Sequence, residues 1–447
     1  MGYRDLRGFL AALRSTGELT TVEAEVDAEL EVAAITDRQS KLAAGGKGLL
    51  FRRVRGTPHP VATNLFGSPS RMATALGVES LAELTRLMER LIADPAAAPA
   101  PRTVADPPCQ EVVEEFPELG SYPFLKSWPA DGGRFITLPL VFTRDPESGA
   151  GNVGMYRVRL FDGQTAGIRW KPGSGGFQHH RKYLAAGAAM PVAIAVGVDP
   201  ALTLAASLPL PEPFDELTLA GFLNGEPLEM ARCLTSELLV PARAELVIEG
   251  RIEPGESRAE GRFGNHTGTY DEGEQVPLLR VTRITHRRDP ICQATVVGPP
   301  PMEDCYLAKA AERLLLPLLR EICPEIVDIS MPLEGIFHGC AVVAIEKSEA
   351  GQGRRVLEAL RREGWLKKGK LLVVVDAGEP AGTLSGAFWQ ALNAVRFPED
   401  LVASDGCLGV DATRKFPEEG GGRFQELRQD PAVLAQVEAR WREYGFE

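Results

Sequence analysis

The sequence predicts a mixed α/β (α+β) fold in three parts, and three observations carry that prediction. The stretch from Asp94 to Pro108 is rich in proline and alanine and poor in large apolar groups, which marks a linker or a surface crossing. Between residues 106 and 300, β-branched or alternating runs dominate, separated by Gly and Pro turns, as in a β-rich domain. After Pro299-Pro300-Pro301 strand-like and helix-like segments alternate, the pattern of an α/β layer.

Each element has a local reason. Leu6, Phe9, Leu10 and Leu13 fall at helical spacing and Gly17 supplies a stop, so the chain opens with an amphipathic helix. Short strands and helices then alternate to about residue 93. Residues 156–161, 192–198, 245–252 and 277–284 read as strands, and a barrel is one way for them to close. Residues 306–319 read as a helix that bridges to the last part. There, residues 341–345 and 371–375 read as strands, and 354–362 and 387–395 as helices. Asp430-Pro431 is an N-cap followed by proline at the first helical position, with Val433, Val437 and Trp441 as the apolar stripe of a terminal helix. The expected division is 1–105, 106–300, a connecting helix at 301–325, and 326–447.

With 447 residues, 44% hydrophobic and 25% charged, the chain can bury two or three cores. The net charge of −12 is spread through the sequence and no basic stripe with interleaved aromatics occurs, which disfavours nucleic acid or an anionic membrane as partner. The seven cysteines (Cys109, Cys233, Cys292, Cys305, Cys323, Cys340 and Cys407) form no C-x-x-C pair and read as reduced core thiols. The first residues are charged where a signal peptide would turn apolar, no run approaches the ~18–20 apolar residues of a membrane span, and Leu6 stands where a myristoylation signal needs Ser or Thr. The expected location is cytoplasmic.

Two segments carry the chemistry. Asn152-Val-Gly-Met-Tyr-Arg157 and Arg-Ala-Glu260-Gly-Arg-Phe-Gly-Asn265-His-Thr-Gly268 could set an arginine against a carboxylate beside glycines that admit something planar. Arginine suits a carboxylate because its fork donates two parallel hydrogen bonds. A carboxyl group beside it in a dry pocket can be tuned to exchange a proton, burial raising its pKa and the arginine lowering it. Taken alone, Arg157 reads as a structural ion pair, Glu260 as a solvated loop carboxylate, and Glu216 as part of an acidic, proline-rich loop. His179 and His180 are adjacent and diverge, which suits a structural role better than a shared metal. Gly173-Ser-Gly-Gly176 could cradle a phosphate, a weak signal without a following fingerprint.

The order of supporting segments adds to this: Asn64-Leu-Phe-Gly-Ser68, Glu216 before Ala220-Gly221, Gly298-Pro-Pro-Pro-Met-Glu303-Asp304, and Gly409-Val-Asp-Ala-Thr-Arg-Lys-Phe-Pro417. From Asp5 nearly to the C-terminus the chain resembles the UbiD family of decarboxylases, which use prenylated flavin mononucleotide (FMN) to remove carboxylate from aromatic and unsaturated acids. The resemblance implies a small N-terminal α/β domain, a central split β-barrel that holds the flavin, a connecting helix, and a C-terminal α/β domain that commonly makes the dimer. It implies Arg157 and Glu260 as catalytic, with Asn152, Tyr156, Arg169, Trp170 and Glu216 around the cofactor. It also implies an aromatic or unsaturated acid as substrate, quinone precursors among them, and a flavin prenyltransferase as cofactor supplier.

Three positions depart from the family pattern. The flavin phosphate is usually bound through a divalent metal, manganese, with potassium, held by Asn, His and Glu with a lysine nearby. Here Asn152 and Glu216 match two ligands, Gly173 replaces the histidine and Cys407 the lysine. The second catalytic acid, five residues after Glu260, is Asn265, and an amide cannot deliver a proton as a carboxylic acid does. Two readings follow. In one, a working decarboxylase has a rebuilt site, with Lys171 in place of the metal charge and His266 relaying the proton. In the other, a subunit or scaffold has kept the fold, lost catalysis and pairs with another protein.

Overall fold

The computed structural model describes residues 2–446 apart from 212–213, 337–338, 379–382, 405, 423–426 and 428. Glu212 and Pro213 of the acidic, proline-rich loop therefore lie outside the described residues.

The first helix, Leu6–Ser15, is capped by the Asp5 side chain and buries Leu6, Phe9, Leu10 and Leu13, the residues that its periodicity selects. Gly17 follows at φ +72°, a conformation that costs glycine nothing. Strands Leu19–Val26, Gly48–Val54 and Val61–Thr63 make a sheet whose fourth strand, Cys292–Gln293, comes from the far end of the central part. That pairing ties the N-terminal part to the central one. The Pro/Ala-rich crossing is exposed but not loose: Arg102–Thr103 pairs in parallel with Glu229–Arg232.

The central part is a nine-stranded sheet in the order Phe135–Ile136, Val158–Leu160, Thr165–Ile168, Gln275–His286, Leu246–Ala259, Met190–Val196, Leu140–Arg144, Gly151–Met155, with Val112–Glu114 also on Gln275–His286. Alternation sorts its faces. Val192, Ile194, Val196, Leu246, Ile248 and Ile284 enter one core with Tyr156 and Trp170. The smaller Ala193 and Ala195, with Val247, enter another with the first helix. Register shifts at Glu249/Gly250 and Ile252/Ser257 interrupt the long central pair and bend it, as bulges do.

One expected strand is broken, with consequence for the site. Residues 156–161 do not run as one strand: Gly151–Met155 ends before Tyr156 and Val158–Leu160 begins after Arg157. The first is the terminal strand at one end of the sheet and the second the last but one at the other. Two residues thus bridge opposite ends of one sheet, which must curl almost closed to allow it.

Helix Glu303–Ile322 joins the halves. Its Tyr306, Leu307, Ala310 and Leu314 pack in the core of the first helix, while Ala308, Leu316 and Leu319 pack in the core of the last part. There the order is Ile326–Ser330, Cys340–Ile345, Leu371–Asp376, Cys407–Asp411, Leu401–Ser404, with three parallel strands between antiparallel edges. Helix Gln352–Arg362 covers one face through Val356, Leu357 and Leu360, and Leu384–Ala394 the other through Ala387.

The terminal helix Pro431–Ala439 has the expected Asp430 cap, but none of its residues is buried. Val433 and Trp441 are 49% and 41% exposed. Of the apolar stripe read from the sequence, Val437 is half-buried while Val433 and Trp441 stay open to solvent. No disulfide joins the seven cysteines, all of which are described residues, and six of them are buried. Among the described residues no helix is long and apolar enough to cross a membrane.

Candidate active site

The seam of the curled sheet carries Arg157. Freed from a strand ladder on its own account, its carbonyl accepts the Arg169 N–H at 3.1 Å, which brings the end of Thr165–Ile168 alongside. Its side chain reaches Glu260, just past the end of Leu246–Ala259. Nε and Nη2 donate to the two Glu260 oxygens at 2.6 and 2.7 Å, and the Glu260 side chain has no solvent exposure. The guanidinium also lies 4.5 Å from the centre of the Phe263 ring. Burial pulls the Arg157 pKa down, and hydrogen bonds and charge from Glu260 and Asp271 more than restore it, so the residue is a fixed cation.

Asp271 is the residue that sequence reasoning missed. Its Oδ2 accepts from Arg157 Nη2 at 2.9 Å. Burial pushes the Asp271 carboxyl up, but the Arg157 hydrogen bond, the Gly273 N–H and the charges of Arg157 and Arg169 leave it below the ordinary carboxylate range. A signal was present: Phe263-Gly264 and Thr269-Tyr270-Asp271 flank a polar turn, and a hairpin there sets Asp271 opposite Phe263.

Asn265 serves that turn. Its Oδ1 accepts from the Thr267 N–H at 2.8 Å and from the Thr267 hydroxyl, while its backbone N–H donates to the Thr269 carbonyl at 3.1 Å. An Asx turn of this kind needs the side-chain oxygen locally, so the amide is committed to the loop. His266 is half-buried, and burial and the Arg157 charge hold its pKa below the usual imidazole value.

A second cluster lies along Gly151–Met155 and helix Gly175–Ala185. Tyr156 packs edge-on against Trp170 with centroids 5.0 Å apart, and its hydroxyl accepts from the Gly176 N–H at 3.3 Å. Ser174 caps the helix by accepting from Phe177. A Cβ on Gly175 would stand 2.0 Å from Asn152 Oδ1, and one on Gly176 2.7 Å from the Trp170 ring, so only glycine lets the helix start this close. Asn152 Nδ2 and Trp170 Nε1 are buried donors that find no hydrogen-bond partner among the described residues. Two orphan donors beside a helix N-terminus fit an anionic group such as a flavin phosphate.

Glu216, the first residue of helix Glu216–Asn224, is adjacent. Burial pushes its carboxyl up to about 7, offset only in part by its own and the Val153 backbone N–H. Asn152 and Glu216 are thus neighbours, yet they are only two ligating side chains, and Gly173 offers no side chain at all. Among the described residues no group of three or more His, Cys, Asp or Glu could hold a metal ion. Two side chains do not by themselves complete the roughly six-oxygen shell of a hard divalent cation such as manganese. Arg169 pairs with Glu274 at 2.5 Å, and Lys171 is exposed on the loop before the helix.

The remaining sequence candidates lie elsewhere or serve structure. His179 is buried and its Nδ1 hydrogen-bonds the Thr143 hydroxyl at 2.9 Å; His180 stacks on Trp170. Cys407 opens a strand of the last sheet. A buried lysine of that neighbourhood is Lys415, 3.1 Å from Asp411.

Known proteins share this architecture. Family models for the 3-octaprenyl-4-hydroxybenzoate carboxy-lyase N-terminal, Rift-related and C-terminal domains match residues 10–91, 102–300 and 305–423. An uncharacterized protein of Archaeoglobus fulgidus is 41% identical over 99% of both chains. Among solved structures, an evolved dimeric form of the UbiD-class enzyme HmfF from Pelotomaculum thermopropionicum, in complex with prenylated FMN, is 29% identical, with a TM-score of 0.86 over 97% of this chain and 98% of that one. The vanillic acid decarboxylase of Sedimentibacter hydroxybenzoicus is 26% identical, with a TM-score of 0.90 over 99% of each. With all three domains matched in order along one curled-sheet architecture, the chain belongs to the UbiD family of carboxy-lyases.

Proposed function

We propose that the protein is a reversible, non-oxidative decarboxylase of an aromatic or α,β-unsaturated acid, a quinone precursor among the candidates, and that it works with prenylated FMN. The observation that carries this is the Arg157–Glu260 pair, two-pronged and buried at the seam of the sheet, beside the glycine-started helix and its orphan donors. When bound, prenylated FMN supplies the electron sink for the carbon that loses CO2, which no side chain can provide.

The chain's own residues do the rest. Arg157 is a permanent cation, and among the described residues its Nη1 makes no hydrogen bond, which leaves that nitrogen to orient a substrate carboxylate. Glu260, held by Nε and Nη2, is the carboxyl group through which a proton reaches or leaves the reacting carbon. Asn152, Tyr156, Arg169, Trp170 and the helix start at Gly175 would hold the flavin, with Lys171 contributing charge near its phosphate and His266 lying beside Arg157. Glu216 and Asn152 would bind a metal only with phosphate and water completing its shell. A flavin prenyltransferase would supply the cofactor, and a homodimer or higher homo-oligomer is the working form, in a cytoplasmic setting.

Coexpression with a flavin prenyltransferase tests the reading. The purified protein is expected to carry flavin absorbance in proportion to chain and to decarboxylate at least one acid of an aromatic and unsaturated panel. Protein that emerges without flavin would favour the non-catalytic subunit or scaffold.

A further inference from the structure

The turn that commits Asn265 also delivers an acid from its other side. Strands Phe263–Gly264 and Tyr270–Asp271 pair antiparallel with Phe263 opposite Asp271. The hairpin is anchored by Asp131, which accepts the Gly264 N–H at 2.7 Å. Directly opposed residues project to the same face, so Asp271 shares the face on which the Phe263 ring meets the Arg157 guanidinium. The contact runs from Arg157 Nη2 to Asp271 Oδ2 at 2.9 Å, and the same nitrogen serves Glu260 Oε2 at 2.7 Å. One cation therefore faces two carboxylates.

We propose that Asp271 is the second acid of the site, in place of residue 265, and that Glu260 and Asp271 share one proton when a substrate carboxylate lies against Arg157. This rests on the decarboxylase reading above. Charge counting carries it. Arg157 with Glu260 and Asp271 has net charge −1, and a substrate carboxylate makes it −2 around a glutamate with no solvent exposure. Like charges so close do not all stay ionised, and the pair takes a proton from solvent.

Among the described residues the neighbouring cations have acids of their own: Arg159, whose charge also reaches Glu260, is shared with Asp131, and Arg169, whose charge reaches Asp271, pairs with Glu274 at 2.5 Å. Burial and the Arg157 charge both disfavour a proton on His266. The step then balances: the bond to the carboxylate carbon breaks, CO2 leaves, and the electron pair stays on the substrate carbon. The shared proton forms the new C–H bond, and Glu260 and Asp271 return to two carboxylates.

The test uses an acid that the flavin-loaded wild type turns over. Flavin content and the pH profile of kcat are measured for wild type, Asp271→Asn and the double variant Asn265→Asp/Asp271→Asn. Asparagine still offers Arg157 an oxygen but cannot carry the proton. Asp271→Asn is expected to keep its flavin, lose about 100-fold in kcat and lose one limb of the pH profile. An aspartate at 265 would accept from Thr267 as the asparagine does, so the double variant is expected to stay as slow as Asp271→Asn. Recovery to the wild-type rate in it would overturn the assignment to position 271.

Asp271→Asn within about threefold of wild type and with an unchanged pH profile overturns the inference. So does loss of flavin in parallel with activity, which would give Asp271 a structural role only. Failure of the decarboxylase reading looks different: the flavin-loaded wild type itself would consume no acid, and the inference would fall with it.

Discussion

Arg157 and Glu260, 103 residues apart in the chain, meet in a two-pronged ion pair at 2.6 and 2.7 Å. The glutamate end is sealed from solvent, and the arginine end is 18% exposed. Removing one partner of such a pair leaves the other charge stranded, which costs more than the pair contributes.

Arg157→Ala is therefore expected to lower stability by about 2–3 kcal/mol, somewhat less than for a fully buried pair. The double variant Arg157→Ala/Glu260→Gln is expected to regain part of it. Denaturant midpoints of the flavin-free proteins check this; equal losses in the single and double variants would show that the stranded glutamate is not the cause.

Glu216 gives a pH signature. Burial raises its carboxyl in the folded protein to about 7 from an ordinary 4.5, so between these values the folded state holds a proton that the unfolded state has released. Stability falls as pH rises through that window and stays reduced above it. Glu216→Gln removes the ionisable group. The flavin-free variant is expected to melt higher than wild type at pH 8 and close to it at pH 4. A melting difference that does not change with pH would contradict the burial argument.

Gly175→Ala tests the helix start. The new Cβ would stand 2.0 Å from Asn152 Oδ1, so the helix or the asparagine must move. The variant is expected to retain less flavin than wild type after desalting while its apo form still folds, judged by circular dichroism. Flavin retention equal to wild type would place the cofactor away from this helix.

Lys171→Ala is expected to weaken flavin retention more than a chelator does, since Asn152 and Glu216 alone offer a metal too few donors. Stoichiometric manganese that survives chelation, read by elemental analysis, would show this wrong.

The last part of the chain predicts assembly. Phe388, Trp389 and Leu392 on Leu384–Ala394 are 53%, 61% and 78% exposed, and Val433, Leu434 and Trp441 are also open. Large apolar side chains left open together on one helix commonly mark an interface. Light scattering at micromolar concentration is expected to return at least a dimer; a monomer mass would leave these side chains unexplained.

The parts legible in the sequence were those whose pattern repeats locally. The spacing of Leu6, Phe9, Leu10 and Leu13, the alternation in Met190–Val196 and the Asp430 cap each specify their element without distant help. The seam was not legible, because the β-branched and aromatic run around Arg157 looks like a continuous strand. Only sheet closure, a property of the whole nine-stranded order, breaks it. Motif order named Arg157 and Glu260 and found the substitution at Asn265, but a fixed count of five residues past Glu260 could not find Asp271. Its partner is set by hairpin register across the turn, which no spacing along the chain encodes.

The most direct measurement runs the flavin-loaded protein with the acid panel in deuterium oxide and analyses products by mass spectrometry and NMR. A decarboxylase that delivers a solvent-derived proton through Glu260 must release CO2 and place one deuterium on the carbon that carried the carboxylate, with Glu260→Gln losing that product. Flavin-loaded wild type that consumes no acid and forms no deuterated product would contradict the assignment.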